Sequence, residues 1–433
     1  MDQGRLRHSH HYYRVIIGRW AAVVILFSVA LTACGGPKHT GAASASGNVA
    51  APLLSAPPTR SGSADPGSNS SPASASPVGA SPVGASPTAR TVTVLGSGDV
   101  LIHPALWEQA AADAKAENRP GYDFGPIYAS IAPVTRSADL AICEMETPLA
   151  PPGGPFAGWP NFNAPPQVLT ALKEIGYDSC TTASNHTLDQ GLTGVKRTLD
   201  ELDAAGLKHT GSARSAREAA NSLIVTTASG VRIAQLAYAF GFNGIPVPAE
   251  QPWLANLTDV ATILAAAKRA KQAGADLVVL SMHWGTEYQH APTAEQTAQA
   301  KQLLAAPDID VILGDHTHVV QPFAKVGKKW VAYGMGNQIS RHADPVNDSR
   351  EGVMPRFTFT ETVRGSHKWT LTKAEAIPTW MDITPRLRLV DLPAALADPN
   401  TKAGQRATYQ AAYTRITGYL NSLGASGQGL VVD

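Results

Sequence analysis

From Thr91 onward the chain alternates between two periodicities. β-Branched, strand-like runs occur at TVTVLGSGD (91–99), DLAICEMET (139–147), YDSCTTAS (177–184) and DLVVLSMHW (276–284). Between them lie Ala- and Leu-rich stretches whose apolar positions recur at helical spacing: 104–117, 165–176, 193–205, 258–273 and 293–306. Strands separated by helices of this length predict a largely parallel sheet built from crossover units. The stretch 221–240 predicts a hairpin turning at Ser229 and Gly230, and DIDVILGDHTHVV (308–320) a further strand. KKWVAYGMGNQIS (328–340), PRFTFTETV (355–363) and HKWTLTKAEAI (367–377) predict successive antiparallel strands with polar turns. The pattern thus marks out an α/β domain over 91–385 with an added β-rich half, and a helical or loose tail over 386–433.

The first ninety residues follow neither periodicity. Arg5, Arg7, Arg14 and Arg19 precede an apolar run from Trp20 to Leu31, and LTAC ends at Cys34. This is similar to a bacterial lipoprotein signal, which implies cleavage before Cys34, lipidation of its thiol, and an extracytoplasmic protein held on the outer face of the membrane. An uncleaved anchor over Val15–Ala33 is the alternative. Residues 35–90 are Ala, Ser, Pro and Gly with the tandem ASPVGASPVGASPTA, a composition that buries too little apolar surface to fold and predicts a disordered tether. Lys and Arg total 35 against 34 Asp and Glu, without a basic stripe, so nucleic acid is not an expected partner. Cys143 and Cys180 sit in strand-like runs and are open to two readings, a disulfide or a pair of buried thiols.

The candidate chemistry lies where the strands end. Asp99 closes the first, Glu144 and Glu146 the second, Asn185 and His186 the third; His283 follows VVLSM, and His316 and His318 follow VIL. In open α/β sheets a site forms outside the carboxyl ends of the strands, so these residues are expected to converge across a long stretch of sequence. The two-residue spacing of Glu144 and Glu146, and of His316 and His318, puts each pair on one side of an extended segment. Imidazole, carboxylate and amide oxygen donors without thiolates suit Zn²⁺, Mn²⁺ or Fe²⁺. Taken singly, Asp99 reads equally as a helix cap, the glutamates as surface carboxylates, and His283 as a hydrogen-bonded structural histidine. There is no GxSxG elbow, no HExxH helix and no P-loop.

GDVLIHP (98–104), CEMETPL (143–149), GYDSCTTASNHTLDQG (176–191), HWGTEY (283–288), GDHTHVVQP (314–322) and GMGNQIS (334–340) together resemble the CapA-like family of poly-γ-glutamate capsule synthesis proteins, within the calcineurin-like metallophosphoesterases. The resemblance implies a four-layer α/β/β/α sandwich of two mixed sheets flanked by helices, with two divalent ions at the strand ends. It implies Asp99, Glu144, Asn185, His283, His316 and His318 as ligands, with His103 and Glu146 as additional candidates. It also implies His186 as the acid that protonates a leaving group, oriented by Asp189. The chain departs from the family pattern at Leu101, where His is usual after the first-strand Asp, at Glu144, where Asn is usual, and at Asp315, where His is common. At Asp315 two expectations stand: a hydrogen bond to His316, or a solvated side chain.

Three functions fit these residues. The first is an envelope-anchored metal-dependent hydrolase of a phosphorylated or γ-glutamyl-type polymer. The second is a non-catalytic accessory protein within a capsule-synthesis complex. The third is a surface-binding lipoprotein without chemistry. The Pro- and Gly-rich loop at 150–166 is an expected lid or specificity loop.

Overall fold

The computed structural model describes residues 89–342 and 347–433. The leader, Cys34 and the tether through residue 88 lie outside the described residues.

Four strands open the first sheet, β1 (Thr91–Val100), β2 (Leu140–Glu144), β3 (Ser179–Thr181) and β4 (Lys208–Thr210), all parallel and adjacent in that order. Their crossovers carry α1 (Pro104–Ala116), α2 (Val168–Ile175) and α3 (Gly191–Ala204). The second sheet begins with a hairpin of β5 (Leu223–Thr226) and β6 (Arg232–Ala239). It continues through α4 (Val260–Gln272), β7 (Leu277–His283), α5 (Ala294–Ala305) and β8 (Val311–Asp315), with β6, β7 and β8 parallel. An antiparallel pair, β9 (Phe323–Val326) and β10 (Lys329–Ala332), completes it, β10 lying next to β8.

The chain then returns to the first sheet. β11 (Asn337–Ile339) runs parallel beside the end of β1, while β12 (Glu351–Glu361), antiparallel to β1 on the side away from β2, and β13 (Trp369–Asp382), antiparallel to β12, extend the sheet. The continuous strand expected over 328–340 is therefore two strands in different sheets. Glycine makes the crossing feasible. Gly336 has φ +69°, and a Cβ on Gly98 would stand 1.8 Å from the Gly336 carbonyl oxygen, so the crossing segment lies directly against β1. That approach sets Asn337 beside Asp99.

Strand periodicity sorts the core. Val92, Val94, Leu140 and Ile142 of the first sheet pack against Ile233, Leu277, Val279, Val311 and Leu313 of the second. The alternate positions Val278, Leu280 and Ile312 face outward onto Ile263 and Ala267 of α4 and Leu303 of α5. On the opposite side Ala141, Cys143 and Cys180 face Leu106, Leu172 and Leu199 of α1, α2 and α3. The result is the α/β/β/α sandwich. Cys143 and Cys180 stand opposite each other on β2 and β3, with Cα atoms 4.4 Å apart, and form a disulfide.

Residues 386–433 are packed into this frame. β14 (Arg388–Asp391) and β15 (Leu430–Val432) both pair with β13, and α6 (Ala403–Asn421) places Tyr409, Ala412, Ile416 and Leu420 in the core between the sheets. Arg415 of α6 also pairs with Glu351 on β12, Nε to Oε1 at 2.8 Å. Burial pushes the Glu351 carboxyl up to about 7 against the pull of Arg415. Arg415→Ala is expected to destabilise the protein by about 2 kcal/mol at pH 8, below the value for a fully buried pair because the arginine is partly exposed. At pH 5 the loss shrinks, because a carboxyl with a raised folded pKa is then protonated at little cost. Urea unfolding at the two pH values checks both statements.

Candidate metal centre

The period-two pattern that builds the inter-sheet core also builds the site. Leu140 and Ile142 are followed on the same face of β2 by Glu144; Leu277 and Val279 lead on β7 to His283; Val311 and Leu313 lead on β8 to Asp315. Each apolar column ends in a ligand-type residue at the carboxyl end of its strand. Register then aligns them: Asp99 stands beside Glu144 on one side and Asn337 on the other, and His283 stands beside Asp315.

Asp99 sits at the centre of the cluster. Its Oδ2 accepts from Nδ1 of His318 at 3.0 Å, and its Oδ1 accepts from the main-chain N–H of His316 at 3.2 Å. His318 Nδ1 also lies 3.0 Å from Oδ1 of Asn337. The other ring nitrogen, Nε2, faces Glu146 Oε1 at 3.8 Å, too far for a hydrogen bond. Donor atoms of Asp99, Glu146 and His318 all lie within 4.8 Å of one another. On the other flank His283 Nε2 donates to Oδ1 of Asn185 at 2.9 Å. Its Nδ1 is left 3.6 Å from Glu144 Oε1 and 4.0 Å from Asp99 Oδ1.

His316 and His318 do not form the expected extended pair. They follow β8 in a bend, both with positive φ, +88° and +55°. Such backbone costs roughly 1–3 kcal/mol per residue, and the two bonds from Asp99 to this bend hold it in place.

His186 and Asp189 form a dyad one turn beyond β3. His186 Nδ1 donates to Asp189 Oδ2 at 2.8 Å, and the same oxygen accepts from the Phe162 amide at 2.7 Å. The Phe162 ring meets the His186 ring edge-on, with centroids 4.7 Å apart. Asn185 donates to Oδ1 of Asn243 at 3.2 Å, and the Asn243 amide nitrogen approaches His186 Nδ1 at 3.4 Å. Above lies a cleft of about 1050 Å³, lined among others by Leu101, Trp159, Phe162, His186, Tyr288 and His318. Trp159, on the loop expected to be a lid, is 77% exposed at its rim.

Two candidates take positions different from those expected. His103 lies on the cleft wall, where its Nδ1 accepts from the Arg341 amide at 3.2 Å and its ring packs on Phe162 and His342. Among the described residues no carboxylate pairs with it, and it lies outside the Asp99–Glu146–His318 group. Glu146 does belong to the Asp99–His318 group. Asp315 meets neither expectation: it is 1% exposed, and Nδ1 of His316 has no hydrogen-bond partner. Asn337 and Asn243 escaped the strand-end reading. The first lies just after the chain changes sheets; the second lies past β6, a strand whose end was read only as half of a hairpin.

The donors fit divalent ions. Glu144 Oε1, both oxygens of Glu146, Asp315 Oδ1, His283 Nδ1 and His316 Nδ1 are buried and lack a hydrogen-bond partner among the described residues. Leaving one such group unsatisfied costs about 1–3 kcal/mol, and these point into one cluster. Burial, with the charge of Asp99, pushes the Glu144 and Glu146 carboxyls well above their ordinary range. Burial and the neighbouring imidazoles push His283 well down and His316 down to about 3, which keeps their rings neutral and their lone pairs available.

The sequence model of the bacterial capsule synthesis protein PGA_cap matches residues 93–342. The capsule biosynthesis protein CapA of Bacillus anthracis is 29% identical over 232 residues, 51% of this chain and 54% of that protein. The PGA biosynthesis protein CapA of Bacillus subtilis is 28% identical over 172 residues, 40% of this chain and 44% of that protein. The chain thus spans about half the length of these relatives. Among solved structures, the calcineurin-like phosphoesterase YfkN from Bacillus subtilis aligns over 76% of this chain and 99% of that chain, at 14% identity and a TM-score of 0.39. With more than half of its 433 residues matched by the family's sequence model, the chain belongs to the bacterial capsule synthesis protein family PGA_cap.

Proposed function

We propose that the protein is a cell-envelope-anchored, metal-dependent hydrolase that acts on a phosphoester or γ-glutamyl-type polymer in capsule or surface polymer metabolism. The observation that carries this reading is that His186, bonded to Asp189, lines one cleft together with Asn185 and His318, which bond to His283 and Asp99 of the buried cluster. Asp99, Glu146 and His318 would hold one ion, and Glu144, His283, Asn185 and His316 a second. Ions bound there supply Lewis acidity, which acidifies water and polarises the bond under attack. Asp189 fixes the His186 tautomer with Nδ1 protonated, so Nε2 is the nitrogen left to carry a proton to the leaving group. The Phe162 amide holds Asp189 from behind. The lipoprotein-like leader ending at Cys34 supports an extracytoplasmic setting, and the names of the relatives supply the capsule context.

The test is elemental analysis of the purified full chain, followed by assays on bis(p-nitrophenyl) phosphate and on poly-γ-glutamate with added Mn²⁺ or Zn²⁺. Bound metal and hydrolysis of either substrate are expected. A chain that retains no metal and cleaves neither sinks the proposal.

The accessory reading draws on one observation. With Leu101 at the usual histidine position and His103 turned to Arg341, the Asp99–Glu146–His318 group has one imidazole fewer than the family pattern. Metal uptake without hydrolysis, together with loss of surface polymer in a deletion strain and its rescue by His186→Ala, would favour it.

A further inference from the structure

Four carboxylates buried elsewhere in this protein have cationic partners. Glu361 is paired with Arg90, Glu375 with Arg356, Glu351 with Arg415 and Asp113 with Arg388. Asp315 is as deeply buried, yet among the described residues its side chain makes no hydrogen bond or ion pair, and its Oδ1 is fully enclosed. It is not turned away from the site. It follows Val311 and Leu313 on the inner face of β8 and stands in register with His283. On that flank Glu144 Oε1 lies 3.6 Å from Nδ1 of His283.

We propose that Asp315 is a further ligand residue of the metal centre, on the Glu144–His283 flank, and that it completes a set of four buried carboxylates with Asp99, Glu144 and Glu146. This rests on the reading that the cluster holds divalent ions. Charge balance supports it: with neutral imidazoles, four carboxylates match two divalent ions, whereas three leave an unbalanced positive charge. Donor chemistry adds a preference. A fourth carboxylate favours Mn²⁺ more than Zn²⁺, because Zn²⁺ draws more of its binding from imidazole.

The experiment uses the metal-free full chain, titrated with Mn²⁺ and separately with Zn²⁺, with bound ion counted by equilibrium dialysis and melting temperature recorded at each step. The wild type is expected to take up two Mn²⁺. Asp315→Asn is expected to lower Mn²⁺ affinity by at least about tenfold, with a smaller change for Zn²⁺, and to raise the melting temperature of the metal-free protein because an acidic group buried without a partner is gone. A purely structural role predicts the reverse: a lower metal-free melting temperature and unchanged uptake. Asp315→Ser, neutral and smaller, serves if the Asn variant does not fold. Unchanged Mn²⁺ binding in either folded variant overturns the inference, as does a wild type that saturates at one Mn²⁺. A wild type that binds none overturns the hydrolase reading itself.

Discussion

His186→Ala is expected to lower kcat for an unactivated phosphodiester or γ-glutamyl amide by about 10²–10⁴-fold, the usual contribution of a positioned general acid. The loss should depend on the leaving group. p-Nitrophenolate departs without a proton, so cleavage of bis(p-nitrophenyl) phosphate should fall far less. Metal content should not change, because His186 bonds to Asp189 and lines the cleft rather than joining the Asp99–Glu146–His318 donors. Asp189→Asn should show the same leaving-group dependence at smaller amplitude, since the ring remains but its tautomer is no longer enforced. Parallel kcat measurements on the two substrate types, with metal content determined on the same samples, check this. An equal loss on both substrates would remove His186 from the acid role.

Asp99→Asn is expected to abolish stable metal binding, with affinity falling by more than about 100-fold. Residues that act only through a ligand already account for 10–100-fold in metal affinity. Asp99 does more than they do. Its two oxygens reach His318 and the main chain of His316, and it lies within 4 Å of His283, so both flanks depend on it. Losing the charge removes a shared donor and also releases the positive-φ bend that presents both histidines. Calorimetric titration of the metal-free variant with Mn²⁺ provides the measurement. Full retention of binding would show that the strand-end cluster is not where ions are held.

Much of this arrangement was legible before the fold. Asp99, Glu144, His283 and the HTH sequence each terminate an apolar run, and the rule that sites collect at strand ends needs only those runs. What stayed hidden depended on which sheet a strand joins. KKWVAYGMGNQIS reads as one strand because local pattern carries no information on the partner; the close approach of Gly98 and Gly336 takes the chain to the other sheet and delivers Asn337. Asp315, which adjoins a polar loop, was open to a hydrogen bond with His316 or to solvent. Only the register of β8 with β7 turns it inward. The contribution of residues 386–433 was obscured in another way. The inward positions of α6 include Ala412, and small residues between its larger ones blur the apolar stripe.

One oxygen has two occupations. Asp189 Oδ2 receives both the His186 ring and the Phe162 amide, and Phe162 belongs to the same loop as the exposed Trp159. Whatever seats itself against that loop therefore pulls on the orientation of the proton donor as well. If the protein is the proposed hydrolase, recognition and proton delivery would share that one oxygen, and a polymer that grips the loop poorly would be cleaved slowly even when it is bound.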